Sequence, residues 1–345
     1  MPLARRSICT LALLLALTGP VFALTAQDIN QANFTAPPPP TKKNAKTPAK
    51  TPPKAAAGAL DPLIVKTQVL LSRKNVSPGE IDGRDGENYR KAIAQFRRLN
   101  GLGDSTQMDA ATWQALGGPT AGDILAPYSV TAPDAATAFV PEIPRDYAKQ
   151  ATLKQLGYKT PTEMYAERFH MSEALLKALN PTADLLKPGE TLTVVAAQRT
   201  VPLAPVERLE AIKATGMLVA YGAGDVVLAS YPATIGSRET ASPEGEYEIT
   251  RVVHNPPYGY DPKKNFQQGA NSKPLELPPG PNNPVGTVWI ALSKPTFGIH
   301  GTPEPAQISK TSSHGCVRLT NWDAEDLAGL VKPGVRMRFV EKPAA

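Results

Sequence analysis

Apolar positions change their spacing several times along the chain, and each change marks a boundary. An unbroken apolar run over 8–18 follows Arg5 and Arg6 and stops at Gly19-Pro20, with Val21-Phe22-Ala23 as a small-residue cleavage site. That order predicts a secretory signal peptide at 1–23. The alternative, an uncleaved anchor, suits it less, because the run is short for a hydrocarbon core of ~30 Å. From Asp61-Pro62, a cap followed by proline at the first helical position, the spacing becomes helical. Tyr89, Ala92, Ile93 and Phe96 recur at i, i+3, i+4 and i+7, one helix face, and a third short helix is expected from Asp109 through Trp113 and Leu116. Thr160-Pro161-Thr162-Glu163 reads as a capping box, Ser172 caps a second helix ending at Asn180-Pro181, and the apolar run 191–195 reads as a strand. Beyond 208 the pattern shortens to β-branched runs at 217–221, 226–231, 246–253 and 287–292. Thr320 to Asp323 forms another capping box, opening a helix to about 331 that Pro333-Gly334 stops.

The expected fold class is therefore multidomain. After the signal peptide comes a Pro/Lys/Ala-rich linker at 24–60, whose prolines favour an extended polyproline II tether. A small all-α module at 61–118, a connector at 119–150, an α+β module at 151–200 and a mostly-β domain at 208–341 follow. The proline-rich stretch 255–284 is too long for an ordinary hairpin, and loops of that length usually serve as lids or binding walls. An EF-hand reading of the aspartates between 82 and 86 fails, because Arg84 occupies the loop's third position.

Charge removes one class of partner. The net charge of +6 and pI near 9.1 hint at nucleic acid. Yet Arg5, Arg6 and the five lysines of 37–58 account for the whole excess, leaving the folded part near neutral. No phosphate-tracking surface is expected, so nucleic acid is not the partner. Removal of the signal also takes Cys9, leaving Cys316 as a lone thiol that cannot form an internal disulfide.

The neighbours of Cys316 decide what that thiol is for. Ile299-His300-Gly301-Thr302 precedes it, and Ser313-His314-Gly315-Cys316-Val317-Arg318 contains it. A free thiol has a pKa of ~8.5, so a nucleophilic cysteine needs an imidazole to take its proton or stabilise its anion. On an extended strand His314 shares a face with Cys316, and antiparallel pairing could bring His300 to the sulfur from the preceding strand. Glycine beside the nucleophile leaves the N–H groups of Gly315 and Cys316 open to an oxyanion. Three other readings compete: a zinc site from His300, His314 and Cys316, a buried structural cysteine, and proximity in sequence without contact in space. The zinc site lacks an accompanying acidic residue with a motif-like role.

Three segments resemble known families. Residues 61–118 resemble the three-helix peptidoglycan-binding domain through Gln68, the Ile81-Asp82-Gly83 turn, Phe96 and Thr112-Trp113, with Phe96-Arg97 standing where that family has Phe-Gln. Phe169-His170-Met171-Ser172 and Leu179-Asn180-Pro181 are similar to phrases of LysM glycan-binding modules, in degenerate form, without the usual first strand and Gly-Asp-Thr turn. His170 reads there as a packed helix-end residue. His300-Gly301-Thr302 and the Ser313–Leu319 run look like the signature of YkuD-type L,D-transpeptidases. Tyr231 to Gly236, Ser242-Pro243-Glu244-Gly245 (in place of the commoner Thr-Pro-x-Gly) and Pro279 to Gly286 extend that likeness.

What this last resemblance implies is specific. Cys316 becomes the nucleophile and His300 the base, His314 supports the site, and Arg318 orders substrate or the cysteine loop. Ser313, Gly301 and Gly315 join Arg318 as oxyanion or positioning groups. Separately from the resemblance, the helix opening at Thr320 is expected to pack behind the cysteine loop, which makes Trp322 a core residue. No cofactor and no metal are implied. The implied donor is a peptidoglycan tetrapeptide stem ending in diaminopimelate–D-alanine. The implied acceptors are a second stem, giving a 3→3 cross-link, or a lysine of an envelope protein. Water as acceptor would make an L,D-carboxypeptidase, and an inert catalytic domain would make a wall-binding adaptor. The expected partners are peptidoglycan peptides and glycan, the expected address is the periplasm of a Gram-negative bacterium, and the thiolate is expected to react with carbapenems. The mature chain is expected to hold no transmembrane helix.

Overall fold

The computed structural model describes residues 24–36, 60–197, 204–236, 243–311 and 315–342. The expected signal peptide, most of the expected linker, Ser242, and Ser313 with His314 lie outside the described residues. The first 13 described residues depart from the linker expected there. Helix α1 (Ala26–Asn30) packs on α2 (Pro62–Arg73), with Ile29 fully buried. Lys66 Nζ donates to the carbonyls of Asn30 and Ala32, and Trp113 Nε1 donates to Asn33 Oδ1 at 2.8 Å. Leucine, isoleucine and phenylalanine at 24, 29 and 34 supply the apolar face that the proline count had obscured.

Helices α2, α3 (Glu87–Leu99) and α4 (Ala110–Ala115) form the expected helical module. Asp61 caps α2 by accepting the N–H groups of Leu63 and Ile64, and Asp109 caps α4 through Thr112. Gln68 pins the Ile81-Asp82-Gly83 turn from both ends of its amide. It donates to Asp82 Oδ1 at 2.8 Å and accepts from the N–H groups of Asp82 and Gly83. Arg97 ties the end of α3 to Asp109, Thr112 and the Leu102 carbonyl, so the charged residue after Phe96 has a buried purpose.

The connector expected at 119–150 is largely structured. Strand β1 (Leu125–Ser129) lies within it, followed by α5 (Ala132–Ala135) and α6 (Tyr147–Gln150). Then come α7 (Pro161–Arg168), α8 (Glu173–Leu179) and β2 (Thr191–Val195). β1 pairs antiparallel with β2, Leu125 opposite Val195 and Ser129 opposite Thr191. A proline in the strand, Pro127, hid it from sequence reading. It is tolerated because a two-stranded sheet has only edges. Residues 130–160 are thus a long excursion between β1 and α7. Both expected N-terminal modules share one continuous core, from Val65, Ile93 and Phe96 to Tyr165, Leu175 and Leu192.

The C-terminal half is a rolled sheet. Its strands are β3 (Arg208–Ile212), β4 (Met217–Tyr221), β5 (Val227–Pro232), β6 (Thr234–Ile235) and β7 (Gly245–His254). β8 (Tyr258–Tyr260) and β9 (Leu275–Leu277) form a separate hairpin. β10 (Val288–Leu292), β11 (Gly298–His300), β12 (Val317–Arg318) and β13 (Arg336–Val340) complete the set. The nine-stranded order is β5-β4-β3-β13-β7-β10-β11-β12-β6. Its two edge strands are separated in sequence by Ala233 alone, so the sheet must curl until the ends of those strands come together at that residue, without pairing. Helix α9 (Asn321–Ala328) packs on β10 and β11, and Leu327 and Ala324 join the core with Ile290 and Ile299. Trp322 is buried, as expected.

The two halves meet along α9 and β5. Ser77 N–H donates to the Ser230 carbonyl and Ser230 N–H to that of Asn75, so the helical module covers the free edge of β5. His170 stacks on Trp322 with ring centres 5.5 Å apart. Ser77 Oγ donates to Asp323 at 3.0 Å, and Asn321 Nδ2 donates to Glu167 at 2.9 Å. Burial pushes Glu167 up to about 8 and Asp323 up to about 7. In the folded state both acids therefore hold their protons until pH nears 7 to 8, while their unfolded counterparts ionise above about pH 4. At these two sites the native state holds more protons than the unfolded chain in that window, so their contribution to stability is full below about pH 4 and is lost as pH rises towards 8. Thermal unfolding followed by calorimetry should show Tm decreasing from pH 5 to 8. In Glu167→Gln, which keeps an oxygen for Asn321, that decrease should be visibly shallower, and an unchanged slope would remove Glu167 as its source.

Candidate active site

The chemistry expected around Cys316 is assembled by β11 and β12. They run parallel, Ile299 opposite Val317 and His300 opposite Arg318, where an antiparallel pairing was expected. The intervening chain, including a short 3₁₀ turn at Pro305–Gln307, crosses over and returns in the same direction. Alternation along each strand then puts Cys316, Arg318 and His300 on one face. All three line a single cavity of about 240 Å³. The sequence-flagged stretch 255–284 supplies Tyr258, Lys264, Asn265 and Phe266 to its wall. A larger groove of about 1130 Å³ adjoins it, sharing Tyr258, Lys264 and Trp289.

His300 is buried and fixed on two sides. Its ring stacks on Trp289, its antiparallel neighbour on β10, with centres 5.6 Å apart. Its Nδ1 lies 2.7 Å from the Gly301 carbonyl. A carbonyl only accepts, so Nδ1 carries the proton and Nε2 is left as the basic nitrogen. Burial, reinforced by the Arg318 charge, lowers its pKa to about 3. The ring is therefore neutral at physiological pH and able to take a proton.

Cys316 is partly buried, and its Sγ lies 3.7 Å from the Thr296 carbonyl. Desolvation raises its pKa, while a hydrogen bond from the Gly298 backbone and the Arg318 guanidinium pull the other way. The raising effect wins, so the resting group is a thiol. Gly298 must be glycine because a Cβ there would sit 2.7 Å from the Trp289 ring. Gly315, immediately before the sulfur, adopts a φ of 103°, the conformation that glycine tolerates.

Beneath this layer Asn321 fixes the loops. Its Oδ1 accepts from the Thr287 N–H, and its Nδ2 reaches the Pro281 carbonyl as well as Glu167. Gly286 and Gly301 pass so close to its amide that neither has room for a Cβ. Of the residues singled out from sequence, Cys316, His300 and Arg318 line the cavity, Gly315 flanks it, and Gly301 holds the His300 ring. Ser313 and His314 are outside the described residues. Among the described residues, no group of three or more His, Cys, Asp or Glu side chains is gathered for a metal ion. Sequence reading missed Tyr147, which lines the cavity from α6, because nothing in its neighbourhood looked like chemistry.

Residues 207–339 match the YkuD family model, the L,D-transpeptidase catalytic domain. Residues 61–116 match the model of a peptidoglycan-binding domain. A YkuD protein of Bacillus licheniformis, assigned by its name to the L,D-transpeptidases, is 33% identical over 113 residues, covering 33% of this chain and 53% of its own. Probable L,D-transpeptidase YbiS of Escherichia coli K12 is 28% identical over 191 residues, 54% of this chain and 62% of that protein. The chain thus spans between half and two thirds of the length of these curated relatives. L,D-transpeptidase 3 from Mycobacterium tuberculosis, solved with a faropenem-derived adduct, is similar at 14% identity and a TM-score of 0.33, covering 46% of this chain and 77% of that one.

The electrostatics of the YkuD segment predict its thiol reactivity. With Cys316 raised by burial and His300 neutral, the rate of iodoacetamide alkylation should climb from pH 7 to beyond pH 9. A plateau already reached at pH 7 would instead reveal a preformed thiolate–imidazolium pair.

Proposed function

We propose that the chain is a peptidoglycan L,D-transpeptidase that transfers an acyl group through Cys316. The observation carrying this reading is the gathering of Cys316, His300 and Arg318 around one cavity, inside the segment that matches the family model. Cys316 Sγ attacks the diaminopimelate carbonyl of a tetrapeptide stem while His300 Nε2 takes the thiol proton. The backbone N–H groups of Gly315 and Cys316 receive the oxyanion. The imidazolium returns its proton to the departing D-alanine amine, leaving a thioester on the sulfur. An acceptor amine then attacks the thioester, with His300 again as base. A second stem gives a 3→3 cross-link, a lysine of an envelope protein gives an anchored protein, and water gives a shortened stem. His314 and Ser313 stand two and three residues before the nucleophile in sequence, and His314 is proposed to support it.

The N-terminal half fits a role in holding the polymer. A helical module that matches a peptidoglycan-binding model raises the local concentration of stems without adding to the catalytic contacts. The β1–α7–α8–β2 unit, two antiparallel strands flanking two helices, supports a LysM-like reading despite the excursion it contains. A groove of about 640 Å³ lined by Tyr128, Phe169 and Val194 offers rings against which a sugar could lie. The apolar run after Arg5 and Arg6 supports export to the envelope, with the Gram-negative periplasm as the proposed address. Among the described residues no helix is long and apolar enough to cross a membrane.

The test is release of D-alanine from purified muropeptide tetrapeptide. The unsubstituted chain should release it and Cys316→Ala should not. His300→Gln, which cannot accept the proton, should lower kcat by about 10²–10⁴-fold. A chain that sediments with sacculi yet releases no D-alanine would be an adaptor and not an enzyme.

A further inference from the structure

The excursion 130–160 does not stay with the unit that carries it. It crosses to the C-terminal half and clasps the 258–284 segment. Leu156 N–H donates to the Pro279 carbonyl and Asn282 N–H to that of Leu156, both at 2.9 Å. Asn282 Nδ2 donates to Gly157 and Glu163, and Gln268 Nε2 to the Arg145 carbonyl. Gly280, with φ at 142°, has no room for a Cβ against the Leu156 carbonyl. Leu156 packs with Tyr260 and Leu277 in a separate small core, joined by Ile143, Tyr147 and Leu153. At the centre of the clasp, the Tyr147 ring lies edge-on to Tyr260 at 5.3 Å, Tyr258 at 5.9 Å and Phe266 at 6.2 Å. Two of these rings, Tyr258 and Phe266, line the cavity with Tyr147.

We propose that Tyr147 is a substrate-positioning residue of the catalytic pocket, recognising a carboxylate of the donor stem together with Arg318. This rests on the transpeptidase reading. The pocket wall carries two cations, Arg318 and Lys264, and among the described residues no carboxylate lines it. Among the described residues Arg318 Nε has no hydrogen-bond partner, so the guanidinium that lines the cavity is not committed through it to the protein. Tyr147 and Arg318 line the same cavity, and each perturbs the other's ionisation electrostatically. A tyrosine hydroxyl beside an arginine completes a two-donor grip on one anionic group. The terminal carboxylate of the D-alanine leaving group is the anion nearest the scissile bond in the proposed donor. The pocket is then incomplete without the N-terminal half of the chain.

Steady-state release of D-alanine by the full chain tests this. Tyr147→Phe keeps the ring cluster and removes only the hydroxyl. It should raise KM for the tetrapeptide about ten- to a hundredfold, the range for a hydrogen bond to an ionised partner, with kcat changed less than twofold. With a donor amidated at the D-alanine carboxylate, the two enzymes should have the same KM. An unchanged KM in Tyr147→Phe on the free acid overturns the proposal, as does an equal rise on both donors. Tyr147→Ala should show the same KM shift plus a lower Tm, whereas a purely structural ring would lower Tm alone. No D-alanine release by the unsubstituted chain would overturn the transpeptidase reading and this one with it. Release that ignores Tyr147→Phe overturns this one only.

Discussion

The side-chain amide of Asn321 is the point on which the rest of the molecule converges. Its oxygen holds the Thr287 backbone, while its nitrogen holds the Pro281 carbonyl and the buried Glu167 of α7. Two glycines, 286 and 301, press against it where any side chain would collide. One planar group thereby fixes a helix of the N-terminal half, the end of the proline-rich wall and the turn that orients the His300 ring. A buried amide with all its partners in place is rigid, and losing one partner leaves the others desolvated and unpaired. The carboxyl of Glu167 pays for this rigidity by staying protonated in the neutral range.

The same desolvation sets the tone of the reactive centre. Burial makes His300 a weak base and Cys316 a reluctant acid, so proton transfer between them is uphill. Arg318 is the counterweight, since its charge favours thiolate over thiol and lies on the same strand face. An exposed, permanently ionised thiol would be open to oxidation instead.

Much of this was legible in the sequence, residue by residue. The caps at Asp61, Asp109, Thr160, Ser172 and Thr320 mark helix starts that the structure contains, because a cap is a local hydrogen bond and needs no tertiary information. The strands around 217–221, 246–253 and 287–292 appear within a residue or so for the same reason. What escaped was whatever depended on partners distant in sequence. β1 contains Pro127 and is a strand only because β2 lies beside it. Residues 24–36 looked like the start of a tether, yet their few apolar side chains find a groove on α2. The parallel direction of β12 is set by a crossover whose path no local pattern encodes. Tyr147 sits among prolines and charges, and its place in the cavity follows only from the clasp around Gly280 and Asn282.

The cover over β5 has one more consequence. Residues 75–77 donate and accept backbone hydrogen bonds along that outer strand, at Ser230. Cutting the chain near residue 204 would keep every pocket residue that the β-sheet itself carries, but it would strip this lining. A bare row of amides and carbonyls would then face solvent, a template for recruiting a second molecule edge to edge. The helical half thus acts as a built-in cover for the β half, guarding it from edge-to-edge self-association.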